Sequence, residues 1–376
     1  MALLFFLILL AIMAVVELFI YRIHALDEVS LDVHFSTDLA QFGEVIEVVE
    51  IAKNNKRLPL PFLLLKFESP VSLRFLDMTN TTKSDLLYRE DLLTMKAFSS
   101  HTRRIKAQCI KRGYYSFFRV NISTSDILLI EKLSKEFDKS SNITILPEVI
   151  DIGELRSLMT ITFSDVQQRR TLLTDPFAFS GIREYQVWDP MKSINWTATA
   201  RSGDFMVNQN ASTSMKQVTV FLNLEFYNRK KTDSLLEKSI SLAYSYMLHL
   251  CESGIPCALY TNGKDILTGL PVSIEASSNL ADMPRRGEKL ARIDLNQEVL
   301  PFADILETHI AHTRSDDYTV IISPRFDLSF QERLIDILPL RPSLLWVMPC
   351  YRLFPKIDVE NMLVSKYYRW EASGNE

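Results

Sequence analysis

GIREYQVWDPMKSINWTATARSGDFMVN, Gly181 to Asn208, is the stretch on which the reading of this chain turns. It sets Arg183, Glu184, Asp189 and Arg201 among Tyr185, Trp188 and Trp196. Its pattern is strand, turn, short helix, strand. Residues 181–187 suit the first strand. Asp189 suits a helix N-cap, with Pro190 at the first helical position, where a missing N–H costs nothing. Gly203 reads as the C-terminal stop. The periodicity of the chain differs on the two sides of this segment.

Downstream, strands alternate with helices. Residues 218–224 are apolar apart from Thr219 and Asn223, as in a strand buried on both faces. Leu236, Ile240, Ala243, Met247 and Leu250 then follow at spacings of four and three, one face of an amphipathic helix. Ser234 with Glu237 fits a capping box, and Gly254 a stop. Residues 255–261 form the next strand, and Asn262-Gly263 reads as a two-residue hairpin turn into 265–268. Helices are expected near 298–313 and 329–338, and strands at 318–323 and 343–348. Such alternation implies a mainly parallel sheet with helices on its faces.

Upstream, from about 29 to 143, the pattern has period two. Leu31, Val33 and Phe35 alternate with Asp32 and His34; Ile105, Ala107 and Cys109 alternate with Arg104, Lys106 and Gln108. Half-buried antiparallel strands read this way, and several of them make a small sandwich. The only helical hint is a turn at 133–137. Before this region, residues 2–20 are apolar except for Glu17. About 20 such residues span a bilayer core. No Lys or Arg precedes Arg22 and no A-x-A site follows, which favours a retained anchor over a cleaved signal. Arg22, on the C-terminal side, places the bulk of the chain in the cytoplasm by the positive-inside rule. The divisions expected are therefore an anchor over 1–22, a β-sandwich over 28–146, and 147–376 for the segment 181–208 with the α/β region.

Composition excludes several classes. A net charge of −4 and a pI near 6.0 give no case for nucleic-acid binding. Neither a GxGxxG nor a GxxxxGK[ST] stretch occurs. The four cysteines, Cys109, Cys251, Cys257 and Cys350, form no CxxC pair and read as buried small hydrophobes. Cys251 and Cys257 could approach each other across a helix–strand junction. His309 and His312 share a helix face, but no HExxH or cysteine cluster accompanies them. His34 and His101 stand alone. Arg169-Arg170 and Arg285-Arg286 read as solvated loop charge.

Gly181-Ile182-Arg183-Glu184-Tyr185, then Asp189, Ile194, Trp196 and Ala200-Arg201, resemble the signature of a bacterial domain-of-unknown-function family, number fifty-eight. The resemblance covers most of the chain. It implies a membrane-anchored protein with a β-rich segment, the signature and a von Willebrand A-like domain, working beside a MoxR-type AAA+ ATPase. Trp188 departs from the pattern, since a Gly usually precedes the Asp, and one membrane helix stands where members often have two. The fold class expected is thus an α/β von Willebrand A-like (Rossmann-like) domain preceded by an all-β sandwich domain and an N-terminal transmembrane helix.

Von Willebrand A domains can hold a divalent cation through Asp-x-Ser-x-Ser ending the first strand. A hard cation wants convergent carboxylate and hydroxyl oxygens. Here Asn223, Glu225 and Tyr227 occupy those positions, so no metal is expected, and no other cofactor either. Two carboxylates in the signature, Glu184 and Asp189, raise the alternative of a cell-envelope hydrolase. The bland account is stronger: Arg183 or Arg201 pairs with Asp189 and Trp196 covers the bridge. The function expected is a non-enzymatic adaptor at the cell membrane.

Overall fold

The computed structural model describes residues 2–69, 72–77, 81–83, 87–172, 174–186, 189–212, 217–225, 233–311, 313 and 317–372. The chain divides into two units, Met1–Glu148 with Leu290–Arg292, and Val149–Lys289 with Ile293–Glu376.

The first unit opens with α1 (Ala2–His24), whose span Leu3–His24 has a mean hydropathy of 3.1 and is long and apolar enough to cross a membrane. Its last turn enters the sandwich: Tyr21 and Ala25 belong to the buried cluster, and the Tyr21 hydroxyl donates to the Pro59 carbonyl at 2.9 Å. The strands are β1 (Val29–Phe35), β2 (Leu39–Ala40), β3 (Val45–Asn54), β4 (Leu60–Ser69), β5 (Leu73–Phe75), β6 (Thr81–Lys83), β7 (Leu87–Met95), β8 (Ser99–Cys109), β9 (Gly113–Ser125) and β10 (Lys132–Ile145). They form one sheet in the order β1-β3-β8-β5 and another in the order β2-β10-β9-β4-β7-β6. Val33, Val48 and Ile105 from the first sheet and Leu65, Ile122 and Ile143 from the second share one core. Period-two burial produces this: β1 alternates buried and partly exposed positions along its whole length. Residues 133–137, read as a helical turn, lie inside β10, paired with β9.

The second unit begins with a helix that was not among the elements expected, α2 (Ile152–Leu172). Next come β11 (Thr174–Glu184), α3 (Trp196–Ser202) and β12 (Met206–Ser212), with β11 and β12 forming a two-stranded sheet. The larger sheet contains β13 (Val218–Leu222), β14 (Cys257–Lys264), β15 (Pro271–Ser277), β16 (Tyr318–Ile322), β17 (Leu344–Tyr351) and β18 (Tyr367–Ala372), in the order β15-β14-β13-β16-β17-β18. Its helices are α4 (Asp233–Glu252), α5 (Met283–Ala291), α6 (Phe302–Ile310) and α7 (Leu328–Ile337). All five residues of β13 and of β16 are buried, which is why they read as unbroken apolar runs. The predicted stripe on α4 is buried, and so is much of its other face. There α2 meets it: the hydroxyls of Thr162 and Tyr246 lie 2.7 Å apart.

The von Willebrand A-like (Rossmann-like) fold class is corrected. Strands dominate the described chain, eighteen against seven α-helices. In the larger sheet β15 runs antiparallel to β14, the added strand that a hairpin implies, but the crossover from β17 to the parallel β18 carries only a 3-10 turn at Val364–Lys366. The corner that would take a cation is closed by side chains described below. Asn262-Gly263 is also corrected. It lies within β14, and the turn falls at 265–270, where Gly269 has φ 69°. Asn262 is wholly buried, and a Cβ on Gly263 would come within 2.6 Å of Leu224 Cδ1 and 2.7 Å of Ile293 Cγ2. This glycine serves close approach, and the hairpin turns later. The Ser234 hydroxyl accepts from Tyr351 Oη at 2.8 Å, one residue inside the start of α4.

Candidate functional site

The signature segment folds as a hairpin with α3 between its strands. Asp189 is not a helix cap. Its two oxygens take the Arg183 guanidinium end-on, Nη1 to Oδ2 and Nη2 to Oδ1, both at 2.6 Å, and Oδ2 also accepts from the Gln186 N–H at 2.8 Å. This bidentate fork holds the Asp189 carboxyl below, and the Arg183 guanidinium above, their ordinary pKa ranges. Asn195 caps α3 instead, its side chain accepting from the Ala198 N–H at 3.0 Å. A shorter 3-10 turn at Met191–Ser193 uses up the residues after Pro190. Gly203 ends α3 in the left-handed region at φ 85°.

Trp196 does not cover the bridge. It is 63% exposed and meets Phe205, itself 56% exposed, edge to face at 6.4 Å. Tyr185 contacts the same ring at 6.1 Å. Glu184 and Arg201 are exposed, Gly181 is partly so, and Ile194, at 7% exposure, plugs the hairpin opposite Val207. Trp188 lies outside the described residues. The arrangement is an aromatic face on a small hairpin whose best-placed carboxylate is already neutralised. Sequence reading missed Phe205, although its place just before β12 left it within reach of both rings.

The second polar constellation lies where β13 and β16 end. Asn223 is wholly buried; its amide donates to Ser323 Oγ at 3.1 Å, and its Oδ1 accepts from the Glu225 N–H at 2.9 Å and from Asn262 Nδ2 at 3.2 Å. Glu225 Oε1 accepts from the Phe302 N–H and Oε2 from Arg325 Nη1, both at 2.7 Å. Arg325 also forks onto Asp327, whose Oδ2 accepts from Ser329 as well. Asp327 is thereby held down to about 2, the Arg325 hydrogen bonds being the main cause. A guanidinium thus sits among the oxygens that a cation would need. Tyr227 lies outside the described residues, and among those described no group of three or more His, Cys, Asp or Glu could hold a metal. Millimolar magnesium is accordingly expected to leave the melting temperature unchanged, since a ligand of the folded state alone raises stability with its concentration. A saturable rise, abolished by Asn223→Ala, would overturn that expectation. Arg325 and Asp327 carry a local signal, Arg-x-Asp after an apolar run, but their partner Glu225 is 100 positions away.

The remaining candidates are dispersed. His309 stacks on Tyr260 with centroids 3.9 Å apart, and His312 lies outside the described residues. All four cysteines are buried and free, Cys251 and Cys257 included; burial pushes the Cys109 thiol up to about 11. Arg286 is not solvated loop charge. It is 5% exposed on α5 and donates to the carbonyls of Glu275 and Cys257. His34 faces Asp32 at 3.2 Å, and His101 is exposed.

No family model and no curated protein matches the chain. Among solved structures it is similar to the CARDB domain of a Pyrococcus furiosus protein, at 13% identity and TM-score 0.21, over 32% of this chain and 94% of that one. A non-cellulosomal cohesin from Archaeoglobus fulgidus gives 13% identity and TM-score 0.22 over 31% and 91%. Native alpha-2-macroglobulin from Escherichia coli gives 10% and 0.25 over 32% and 24%. The class that the described residues themselves define is a β-rich protein with an N-terminal apolar helix.

Proposed function

We propose that the chain is a non-enzymatic interaction protein anchored in the cell membrane by α1, and that its hairpin docks a MoxR-type AAA+ ATPase. The observation that supports docking is the exposed aromatic face of Trp196 and Phe205, with the half-buried Tyr185 beside Phe205. Aromatic and Arg side chains are the residue types enriched where interfaces carry most of their energy. The resemblance of the signature supplies the partner. A crosslinking pull-down from membranes, with and without ATP, tests it; wild-type protein that recovers no ATPase in any nucleotide state ends the proposal.

The hydrolase alternative would use Glu184 and Asp189. It needs one carboxyl with a raised pKa, and Arg183 pulls Asp189 the other way. The two readings also differ in side, because an adaptor of a cytosolic ATPase must have its bulk in the cytoplasm. With Arg22 as the first flanking basic residue, a C-terminal fusion to green fluorescent protein is expected to be bright and one to alkaline phosphatase inactive. The reverse pattern would favour the envelope enzyme.

A further inference from the structure

The turn between β9 and β10 presents four consecutive apolar side chains to the outside: Ile127, Leu128, Leu129 and Ile130 are 54%, 48%, 63% and 66% exposed. A turn in water is ordinarily polar, with its backbone groups hydrated. Here acceptors for the backbone N–H groups are supplied from within the protein. The Ile127 N–H donates to Glu17 Oε1 at 2.8 Å, Leu128 N–H to Asp126 Oδ2 at 3.1 Å, and Leu129 N–H to the Asp126 carbonyl at 3.1 Å. Ile130 and Glu131 N–H both donate to Asp126 Oδ1, at 2.9 and 2.7 Å. Five successive amide N–H groups are satisfied without solvent. Asp126 itself is 1% exposed, and Leu129 adopts φ 57°, a left-handed conformation that L-residues seldom take. Apolar side chains outward and each N–H met from within suit a turn at the edge of the hydrocarbon, where an unmet N–H cannot turn to water.

The partners of this turn give its depth. Glu17, the only charge in the apolar run of α1, holds Ile127, while Arg22 reaches Glu131 at 3.6 Å. Glu17 and Arg22 are five residues apart, roughly 7–8 Å along a helix axis. The turn therefore descends alongside α1, from the level of its first basic residue to a level roughly 10 Å short of His24. We infer that residues 127–130 dip into the lipid bilayer beside α1 as a second, re-entrant membrane contact, which orients the sandwich on the membrane surface. This rests on the reading of α1 as a membrane anchor.

The full-length protein, reconstituted in vesicles of phosphatidylcholine and phosphatidylglycerol, tests it with an environment-sensitive fluorophore on single introduced cysteines. The four native cysteines are buried, so labelling is selective. The sites are Leu129→Cys on the turn, Leu9→Cys within α1, and Lys106→Cys, an exposed position toward the end of β8 remote from the Ser99–Asn54 pair that leads back to α1. Labels at 129 and 9 are expected to be quenched by doxyl-labelled lipid and shielded from aqueous iodide, and the label at 106 the reverse. Iodide quenching at 129 with doxyl quenching at 9 would overturn the inserted turn and leave the anchor standing. Shielding of 129 from both quenchers would mean that protein, such as a second copy, covers the turn, and would overturn it equally. Iodide quenching at 9 would remove the anchor and the inference together.

Discussion

Replacing Trp196 with alanine is expected to weaken capture of the ATPase by about 2 kcal/mol or more, roughly 30-fold, the loss typical of an aromatic hot spot. Folding stability should stay within about 0.5 kcal/mol, because the ring is 63% exposed and loses only an edge contact with Phe205. Denaturant melts and pull-downs on the same preparations separate the two effects. Ile194→Ala is the control: that side chain is buried, so it should cost about 2–5 kcal/mol of stability, with binding lost only as the fold is lost. A Trp196→Ala protein that melts early would mean that the ring is a core plug. Unchanged capture by that variant and by Phe205→Ala would remove this face from the account and leave the partner.

The second large effect is expected at Arg325. It is shared by Glu225 and Asp327, and Arg325→Ala would leave two carboxylates facing each other across the end of the sheet. Breaking a fully buried pair costs about 3–5 kcal/mol. These three side chains are 21–33% exposed, so solvent screening reduces the expectation to about 2 kcal/mol. The same contact should make the wild-type protein sensitive to acid. Asp327 titrates near 2 in the folded chain, below the roughly 3.9 of an unfolded aspartate. A depressed carboxylate stabilises the fold above pH ~4, and that contribution disappears as pH falls through about 2. For this partly exposed group it should amount to about 1 kcal/mol. Urea melts at neutral pH and at steps down to about pH 2.5 should show wild type losing most of this increment and Arg325→Ala lacking it. Identical pH slopes in the two proteins would refute the assignment.

Local pattern was informative where one face of an element meets one environment. The alternation in β1 and β8, the unbroken apolar β13, the stripe on α4 and the left-handed Gly203 all follow from short-range periodicity or from backbone freedom at a single residue. The α2 helix was missed although its buried Leu155, Leu158, Met159 and Val166 fall at helical spacings, because Thr162 interrupts the stripe and the exposed Ile152 and Ile161 lie off it; Thr162 is matched by Tyr246 of α4. The von Willebrand A-like expectation failed at a different level. Strand–helix alternation constrains neighbouring elements, but it does not say whether a last crossover carries a helix or which side chains close a corner.

By itself, the amino-acid sequence determined an apolar N-terminal helix and a period-two region after it. Each of these depends on residue type and near neighbours. Only tertiary structure decided that Trp196 faces outward, that Asn262-Gly263 is a close approach rather than a turn, and that Glu225 belongs to Arg325. It alone matched Glu17 with the Ile127 amide, 110 positions away. Exposure and pairing depend on which surfaces the packed chain brings together, and no local periodicity records a contact between residues a hundred positions apart.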